Sequence, residues 1–483
     1  MNTLLLSHEL LVLALGLLVL LADLWLPRGL RRHLGYAAAA GLAGILLFSF
    51  LAIRVAPGEV QYAFFEMYAL DGLALFFKRF SLLAALMVLL MSVEFAESMP
   101  TGVSEYYALT LFALLGMLLA SSANDFALLF VSLELITITF YVLASFHRSR
   151  MTSLEAGVKY LIIGALSTGF TVYGIALVYG LTGKLNFNEL AAVSSSLGGN
   201  RLFLFGMVLI LAGLGFKIAA VPFQIWAPDV YQGAPVPTTA FLAVGSKAAG
   251  FVLLLRVLFV AVPEVSFQWG SLLIVLSAIT ILYGNLCAIP QRNLKRLLGY
   301  SSIAHAGYLL LGIAALSRDG QSAVLYYLGG YLFTLLGAFT VLCLVMRQVE
   351  SEDIASLAGL GQRSPLLAAT LTLAMVSLAG LPPLAGFVGK FLLLKSVIAQ
   401  APAQPGYYGL AFVAIAGVVI SLYYYFGVIR AIYWSRTAPD LSPIQPSAPI
   451  RAALYACIAG MFYLGLFPGT LVNLTEEVVK VLR

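Results

Sequence analysis

The stretch 202–226 reads LFLFGMVLILAGLGFKIAAVPFQIW, an apolar run carrying one charge, Lys217, and one interruption, Pro222. A helix needs about 20 apolar residues to cross the hydrocarbon core of a bilayer, so this run is long enough to span. A charge such as Lys217 at the centre of a spanning helix costs roughly 2.5–3.5 kcal/mol on insertion, and proline removes a backbone donor and kinks the helix. Unwound backbone at membrane depth is tolerated only where it is buried in protein or lines a wet cavity. The stretch predicts a membrane helix broken beside a buried lysine; a simple packing kink is the alternative. Runs like it fill the chain. Of 483 residues, 61% are hydrophobic and 10% charged, against about 25% charged in a soluble domain, and the mean hydropathy is +0.99. Continuous runs, rather than segments of about 10 alternating residues, exclude an outer-membrane barrel. The fold class expected is an all-α polytopic membrane protein.

Apolar runs set against glycine, proline and charge clusters predict fourteen helices, at about 4–26, 34–53, 71–93, 105–122, 126–146, 155–180, 202–226, 236–262, 270–289, 296–316, 322–347, 366–398, 407–434 and 450–472. The first run has no basic residue before it and Arg28, Arg31 and Arg32 after it, the reverse of a secretory signal, and reads as a retained helix. Basic loops stay cytoplasmic. One side collects Arg28, Arg31, Arg32, Arg148, Arg150, Arg292, Lys295, Arg296, Arg347, Arg363, Arg430, Arg436 and Arg451. The other has Arg54, Lys184, Arg201 and Arg318, with Lys78 and Arg79 near it and Lys480 and Arg483 at the C-terminus, so both termini are expected outside. The net charge of +6 is scattered through short loops, which reads as topology and not as a nucleic-acid surface. Cys287, Cys343 and Cys457 lie in apolar runs without CxxC spacing and read as packing residues, leaving no basis for an iron–sulfur cluster or a zinc site. The polar connections 351–363 and 437–449 are too short to be soluble domains.

Several further ionisable residues interrupt the apolar runs: Glu134 in FVSLELIT, Lys159 in GVKYL, Lys247 in AVGSKAAG, His305 in SSIAHAGY, Lys390 in GFVGKF, and Lys395 shortly after it. Arg256 and Lys395 lie nearer helix ends, where snorkelling to the interface is the competing reading. Lys247 is about nine residues, or roughly 14 Å, from the nearest expected end, too far for that. A buried lysine suits proton transfer because desolvation disfavours its charge while a nearby carboxylate restores it. Glu134, the one acidic residue read at the middle of a helix, is the natural modulator of Lys217. Lys390 is preceded by Ala379-Gly380-Leu381-Pro382-Pro383, a second break beside a lysine. From 217 to 390 is 173 residues and from 134 to 305 is 171, which predicts an internal repeat of five helices, the second copy inverted as in transporters. The division expected is 1–100 (helices 1–3), 101–265 (repeat one, helices 4–8), 266–435 (repeat two, helices 9–13) and 436–483 (helix 14 and the C-terminus). No lysine occupies the places matching Lys159 and Lys247 in the second unit.

Glu134, the segment KYLIIGALS from Lys159, Lys217 before Pro222, Trp226-Ala227-Pro228-Asp229, Lys247, the segment KRLLGYSSIAH from Lys295 to His305, and Gly380-Leu381-Pro382-Pro383 leading to Lys390 together resemble the antiporter-like membrane subunits of respiratory complex I, which are related to subunits of multisubunit sodium/proton antiporters. The resemblance covers nearly the whole chain. The L-type paralogue extends beyond fourteen helices into a lateral helix, and the M-type usually has glutamate where this chain has Lys390, so the third type is the nearest match. The resemblance implies two half-channels meeting along a wet axis, with Glu134 and Lys217 as the uptake pair, Lys247 and His305 as the connection, Lys390 as the exit, and Lys159 and Lys395 as auxiliaries. It implies no cofactor in this chain, with NADH, FMN, iron–sulfur clusters and quinone in partner subunits; there is no glycine-rich phosphate loop here. The partners implied are an M-type antiporter-like subunit and small membrane subunits such as K, J and A, in a bacterial inner membrane. A subunit of a cation/proton antiporter or an energy-converting hydrogenase, or a scaffold with relic lysines, remains the alternative.

Overall fold

A computed structural model describes residues 3–99, 101–349, 351–434 and 442–482. Arg436 and Arg483 lie outside the described residues, as does part of the 437–449 connection. The chain opens with α1 (Ser7–Trp25) and α2 (Leu34–Ala52), then a hairpin of β1 (Val60–Ala63) and β2 (Tyr68–Asp71), then α3 (Gly72–Phe95), α4 (Val103–Ser121), α5 (Phe126–Ala144) and α6 (Met151–Thr182). A short α7 (Phe187–Leu197) leads to α8 (Arg201–Ile218), α9 (Trp226–Gly233), α10 (Val236–Phe241) and α11 (Lys247–Arg256). The second half holds the single turn α12 (Pro263–Ser266), α13 (Gly270–Ala288), α14 (Leu294–Ala314), α15 (Arg318–Gln348), the single turn α16 (Leu360–Arg363), α17 (Pro365–Ala379), α18 (Ala385–Gln400), α19 (Gly406–Trp434), α20 (Ala448–Leu466) and α21 (Gly469–Val478).

Thirteen helices among the described residues are long and apolar enough to cross a membrane. The one expected span not among them, the twelfth at 366–398, is two helices, α17 and α18, parted at Gly380–Leu384. The expected 202–226 helix ends at Ile218, where Ala219 turns to φ +59. In both places proline cannot continue the ladder, and the chain unwinds just ahead of it. The hairpin, α7 and α21 were not legible as separate elements: they are short, and α21 is split from α20 by Pro468.

Burial sorts the helices. All of the best window in Val236–Ala261 is buried, and 94% and 89% in α14 and α15, against 28% in α6. These three central spans hold Lys247, His305 and a group of tyrosines, so the polar side chains are kept where lipid does not reach. α13 and α14 pack together extensively. Gly284 has Ala304 backbone where a Cβ would stand, and Gly307 faces Ile281 in return, with Ser277 Oγ donating to Gly307 O at 2.8 Å. Small residues let membrane helices approach this way.

The same pair of hydrogen bonds occurs once in each half. Phe126 N donates to Leu185 O at 3.1 Å and Phe187 N to Asn124 O at 3.0 Å; Leu294 N donates to Glu352 O at 2.9 Å and Ile354 N to Arg292 O at 2.8 Å. Asp125 and Asn293 cap α5 and α14 through Ala127 N and Arg296 N. From 126 to 294 is 168 residues and from 187 to 354 is 167. The charged pairs at 173 and 171 keep a different register: Lys217 lies in the last turn of α8, before its break, and Lys390 in the second turn of α18, after its break. The lysines are therefore not equivalent positions of one motif.

Arg256 does not snorkel. Its Nη2 bonds both oxygens of Asp71, at 2.9 and 3.1 Å, and its Nε donates to Ser121 O at 2.9 Å, all buried. Asp71 also caps α3 through Ala74 N. Lys78 is likewise buried against Glu9 and Tyr68. At the opposite ends of α1 and α3, Arg32 and Arg347 share Glu94 and Glu97, and Arg31 pairs with Asp23. Cations assigned to one side on sequence grounds thus meet in one cluster.

These contacts are open to two stability tests. Gly284→Ala forces α13 from α14 and should cost about 1–3 kcal/mol, read as a lowered denaturation midpoint in detergent; Gly44→Ala, whose Cβ meets nothing within 4 Å and which removes a mid-helix glycine, should not lower it. Arg256→Met strands Asp71 without its counter-charge and should cost about 3–5 kcal/mol by the same measurement.

Candidate functional site

Glu134 and Thr137 stand one turn apart on α5, facing Ser167, Thr168 and Thr171 on α6 and Lys217 on α8 across a cavity of about 20 Å³. That is room for about one water. Glu134 Oε1 accepts from Thr168 Oγ1 at 2.6 Å, and Lys217 Nζ donates to Thr137 Oγ1 at 3.0 Å. No ion pair within 4.0 Å joins Glu134 to Lys217 among the described residues, so the expected pair shares a cavity rather than a bond. The helix end that carries Lys217 is tied to the chain beyond the break: Trp226 Nε1 donates back to Phe216 O at 3.0 Å.

Lys247 comes directly after a π-helical turn, Leu242–Ser246, which widens the helix at the point where the lysine leaves it. Such turns gather at functional sites. Its Nζ donates to Ser302 O at 2.5 Å and to Ser302 Oγ, on α14. The hydroxyls of Tyr231 and Tyr331 reach the same Oγ at 2.9 and 3.3 Å. One turn further along α14, His305 meets the Tyr327 hydroxyl through Nδ1 and the Tyr425 hydroxyl through Nε2, the latter at 3.0 Å. Another turn on, Tyr308 lays its ring 4.7 Å from Lys390 Nζ. Lys390 donates to Leu378 O at 2.7 Å and Ala379 O at 3.2 Å, the last carbonyls of α17. A helix C-terminus is the negative end of its dipole, so the break builds an acceptor for the ammonium. Gly380 makes this possible: it sits at φ +85, and a Cβ there would stand 2.8 Å from Lys390 Cδ.

Lys217, Lys247, His305 and Lys390 are all buried, and α14 is the common wall of the last three. The two auxiliaries are not part of this series. Lys159 is 42% exposed and bonded to Glu155 and Asp229, each at 2.6 Å, with Arg296 completing the cluster at 2.6 Å from Asp229. Burial works against the Asp229 charge, but Lys159 and Arg296 outweigh it and hold the carboxyl below its usual range. Lys395 is exposed on α18. Glu134 is only half-buried, whereas Glu9, Asp71 and Glu94 are buried acids that hydropathy alone hid. Sequence reasoning also missed the hydroxyls that hold each cation. Thr137, one turn from Glu134, and Ser302, inside the 295–305 segment, were within reach of a helical-spacing argument; Thr168, Tyr327 and Tyr425 were not.

The family model described as NADH:quinone oxidoreductase/Mrp antiporter, TM, matches residues 123–418. The NADH-quinone oxidoreductase subunit N of Moorella thermoacetica is 43% identical over 472 residues, 98% of this chain and 97% of that protein. That of Trichlorobacter lovleyi is 40% identical over 477 residues, 98% and 96% of the two. A chain of respiratory complex I from Thermus thermophilus with bound aureothin superposes with a TM-score of 0.79 at 35% identity, covering 97% of this chain and all of that one. A chain of the Mrp complex from Dietzia sp. shares the fold, with a TM-score of 0.81 at 21% identity over 100% of this chain and 98% of that one. Full-length similarity of this degree, together with the match across the helices that carry the buried lysines, means that the chain belongs to the NADH-quinone oxidoreductase subunit N family.

Proposed function

We propose that this chain moves protons across the membrane as a subunit of an NADH-quinone oxidoreductase, through Glu134, Lys217, Lys247, His305 and Lys390, driven by quinone reduction in other subunits. The observation that carries this reading is how the lysines are held. Lys217, Lys247 and Lys390 bond only to hydroxyls and carbonyls among the described residues. Deprotonating Lys78 would strand a buried Glu9, but each of these three can be ammonium or amine without abandoning a fixed buried anion. Arg256 never gives up its proton. The chain thus separates cations that lock helices together from cations free to exchange a proton.

In this reading Glu134 and Lys217 form the uptake pair, exchanging through water in their shared cavity, and charge changes at Glu134 alter the hold on the Lys217 proton. Lys247 and His305 connect along α14, and Lys390 releases outward from the broken helix. The two repeats are taken as 101–265 and 266–435, flanked by helices 1–3 (1–100) and by 436–483. Other membrane subunits of the same enzyme, among them an M-type antiporter-like subunit and small subunits such as K, J and A, are the partners, in a bacterial inner membrane with both termini outward. NADH, FMN, iron–sulfur clusters and quinone are assigned to partner subunits.

Lys217→Ala and Lys390→Met, in the intact enzyme reconstituted into vesicles, should each slow NADH-driven proton transport roughly ten-fold or more while oxidation of NADH by an artificial acceptor stays intact. Unchanged protons per electron in both would sink the reading. Glu134→Gln keeps an acceptor for Thr168 but removes the charge facing Lys217, and should strongly impair pumping in the same assay; unchanged pumping would break the uptake pair.

A further inference from the structure

At the end of the bundle that carries the β-hairpin, a groove of about 560 Å³ lies between α2 and α21, backed by α3 and α15. Ligand sites commonly measure roughly 300–1,000 Å³. Its walls are apolar: Phe76 and Leu83 come from one face of α3, seven residues apart, and Leu332 from α15 is buried at the back. Phe50 of α2 and Leu474 of α21 stand exposed on the rims. Since α2, α3 and α15 are spans, the groove opens from the side of a membrane bundle. None of Glu134, Lys217, Lys247, His305 and Lys390 lines it.

Two arginines line the same groove, Arg54 and Arg79. Arg79 is fixed at the end of α2: Nε donates to Ser49 Oγ at 3.1 Å, Nη2 donates to Ser49 O at 2.7 Å and Ile53 O at 2.9 Å, and the guanidinium lies 4.4 Å from the Phe50 ring. Its Nη1 has no hydrogen bond among the described residues. Arg54, next to the Ile53 that Arg79 holds, is exposed and makes no ion pair or side-chain hydrogen bond among the described residues. The one carboxylate on the lining, Glu477, is already bonded to Lys480 at 2.8 Å. The groove therefore joins an apolar bed to two guanidinium groups that lack an anion, and guanidinium forks fit phosphate oxygens.

We propose that this groove binds an anionic phospholipid, with its phosphate on Arg54 and Arg79 and an acyl chain laid along the Phe76–Leu83 face of α3. Free phosphate would leave the apolar bed empty. A zwitterionic lipid would bring an ammonium group to a lining whose single carboxylate is engaged, so the charge balance selects a headgroup of net negative charge. Arg79 is held in place before the lipid arrives, which lowers the cost of ordering it. The bound lipid would fill the space between α2 and α21. The proposal goes beyond the proton path and does not depend on it.

The test uses the intact enzyme in vesicles that contain a little phosphatidylglycerol or phosphatidylcholine carrying a photoreactive diazirine on the acyl chain. After illumination, labelled peptides are mapped by mass spectrometry. Phosphatidylglycerol should label the 72–83 and 329–333 segments about five-fold more than phosphatidylcholine, the preference that one added cationic contact gives. Arg54→Gln, which breaks no bond within the fold, should lower labelling by phosphatidylglycerol about five-fold and leave that by phosphatidylcholine unchanged. Leu83→Trp keeps both arginines but fills the bed, and should lower labelling by phosphatidylglycerol. Equal labelling of these segments by the two lipids would overturn the proposal, as bulk lipid without headgroup selection. Labelling by neither would overturn it in favour of a partner subunit covering the groove, and a native preference retained in Arg54→Gln would refute the phosphate site.

Discussion

An ammonium or guanidinium group taken out of water needs replacement oxygens, and that requirement organises this bundle. The protein meets it in two ways. Arg256 and Lys78 take carboxylates from other elements, Asp71 at the end of β2 and Glu9 in α1. Lys217, Lys247 and Lys390 take hydroxyls and backbone carbonyls. The first kind ties α1, α3 and α11 together and resists any change of protonation. The second leaves the protonation state open. Which kind a residue belongs to depends on whether a helix end, a serine or a carboxylate is set opposite it.

Where a helix stops, its last carbonyls lose their partners within the helix. The break after α17 exposes the carbonyls that Lys390 uses, and it can close that tightly because Gly380 has no side chain to collide with the lysine stem. At α8 the geometry differs: Lys217 lies before its break and turns to Thr137 instead. Two breaks, each beside a lysine, therefore serve by different means. Paired hydrogen bonds at 126 with 185 and at 294 with 352 set the entrances of α5 and α14 in the same way.

α14 then links chemistry to architecture. Its glycine contact with α13 and its deep burial fix the line of Lys295, Ser302, His305 and Tyr308, and each of the central cations except Lys217 meets a residue on that line. Tyrosine hydroxyls surround it because a hydroxyl both donates and accepts, so it satisfies a neighbour in either protonation state.

Membrane class, the two breaks near Pro222 and Pro382, and burial of Lys217, Lys247, His305 and Lys390 were legible in the sequence, because hydropathy and proline act on the local chain. Partners were not. Nothing near Arg256 in sequence announces Asp71, 185 residues away, and nothing near Lys159 announces that Asp229 draws it to the surface cluster. The Glu134–Lys217 relation was read as a pair from charge alone, whereas the separation of their side chains depends on how α5, α6 and α8 meet. Local sequence dictates which charges enter the apolar helices. What each charge faces is settled only in the folded bundle, since the oxygen that holds it comes from a helix elsewhere in the chain.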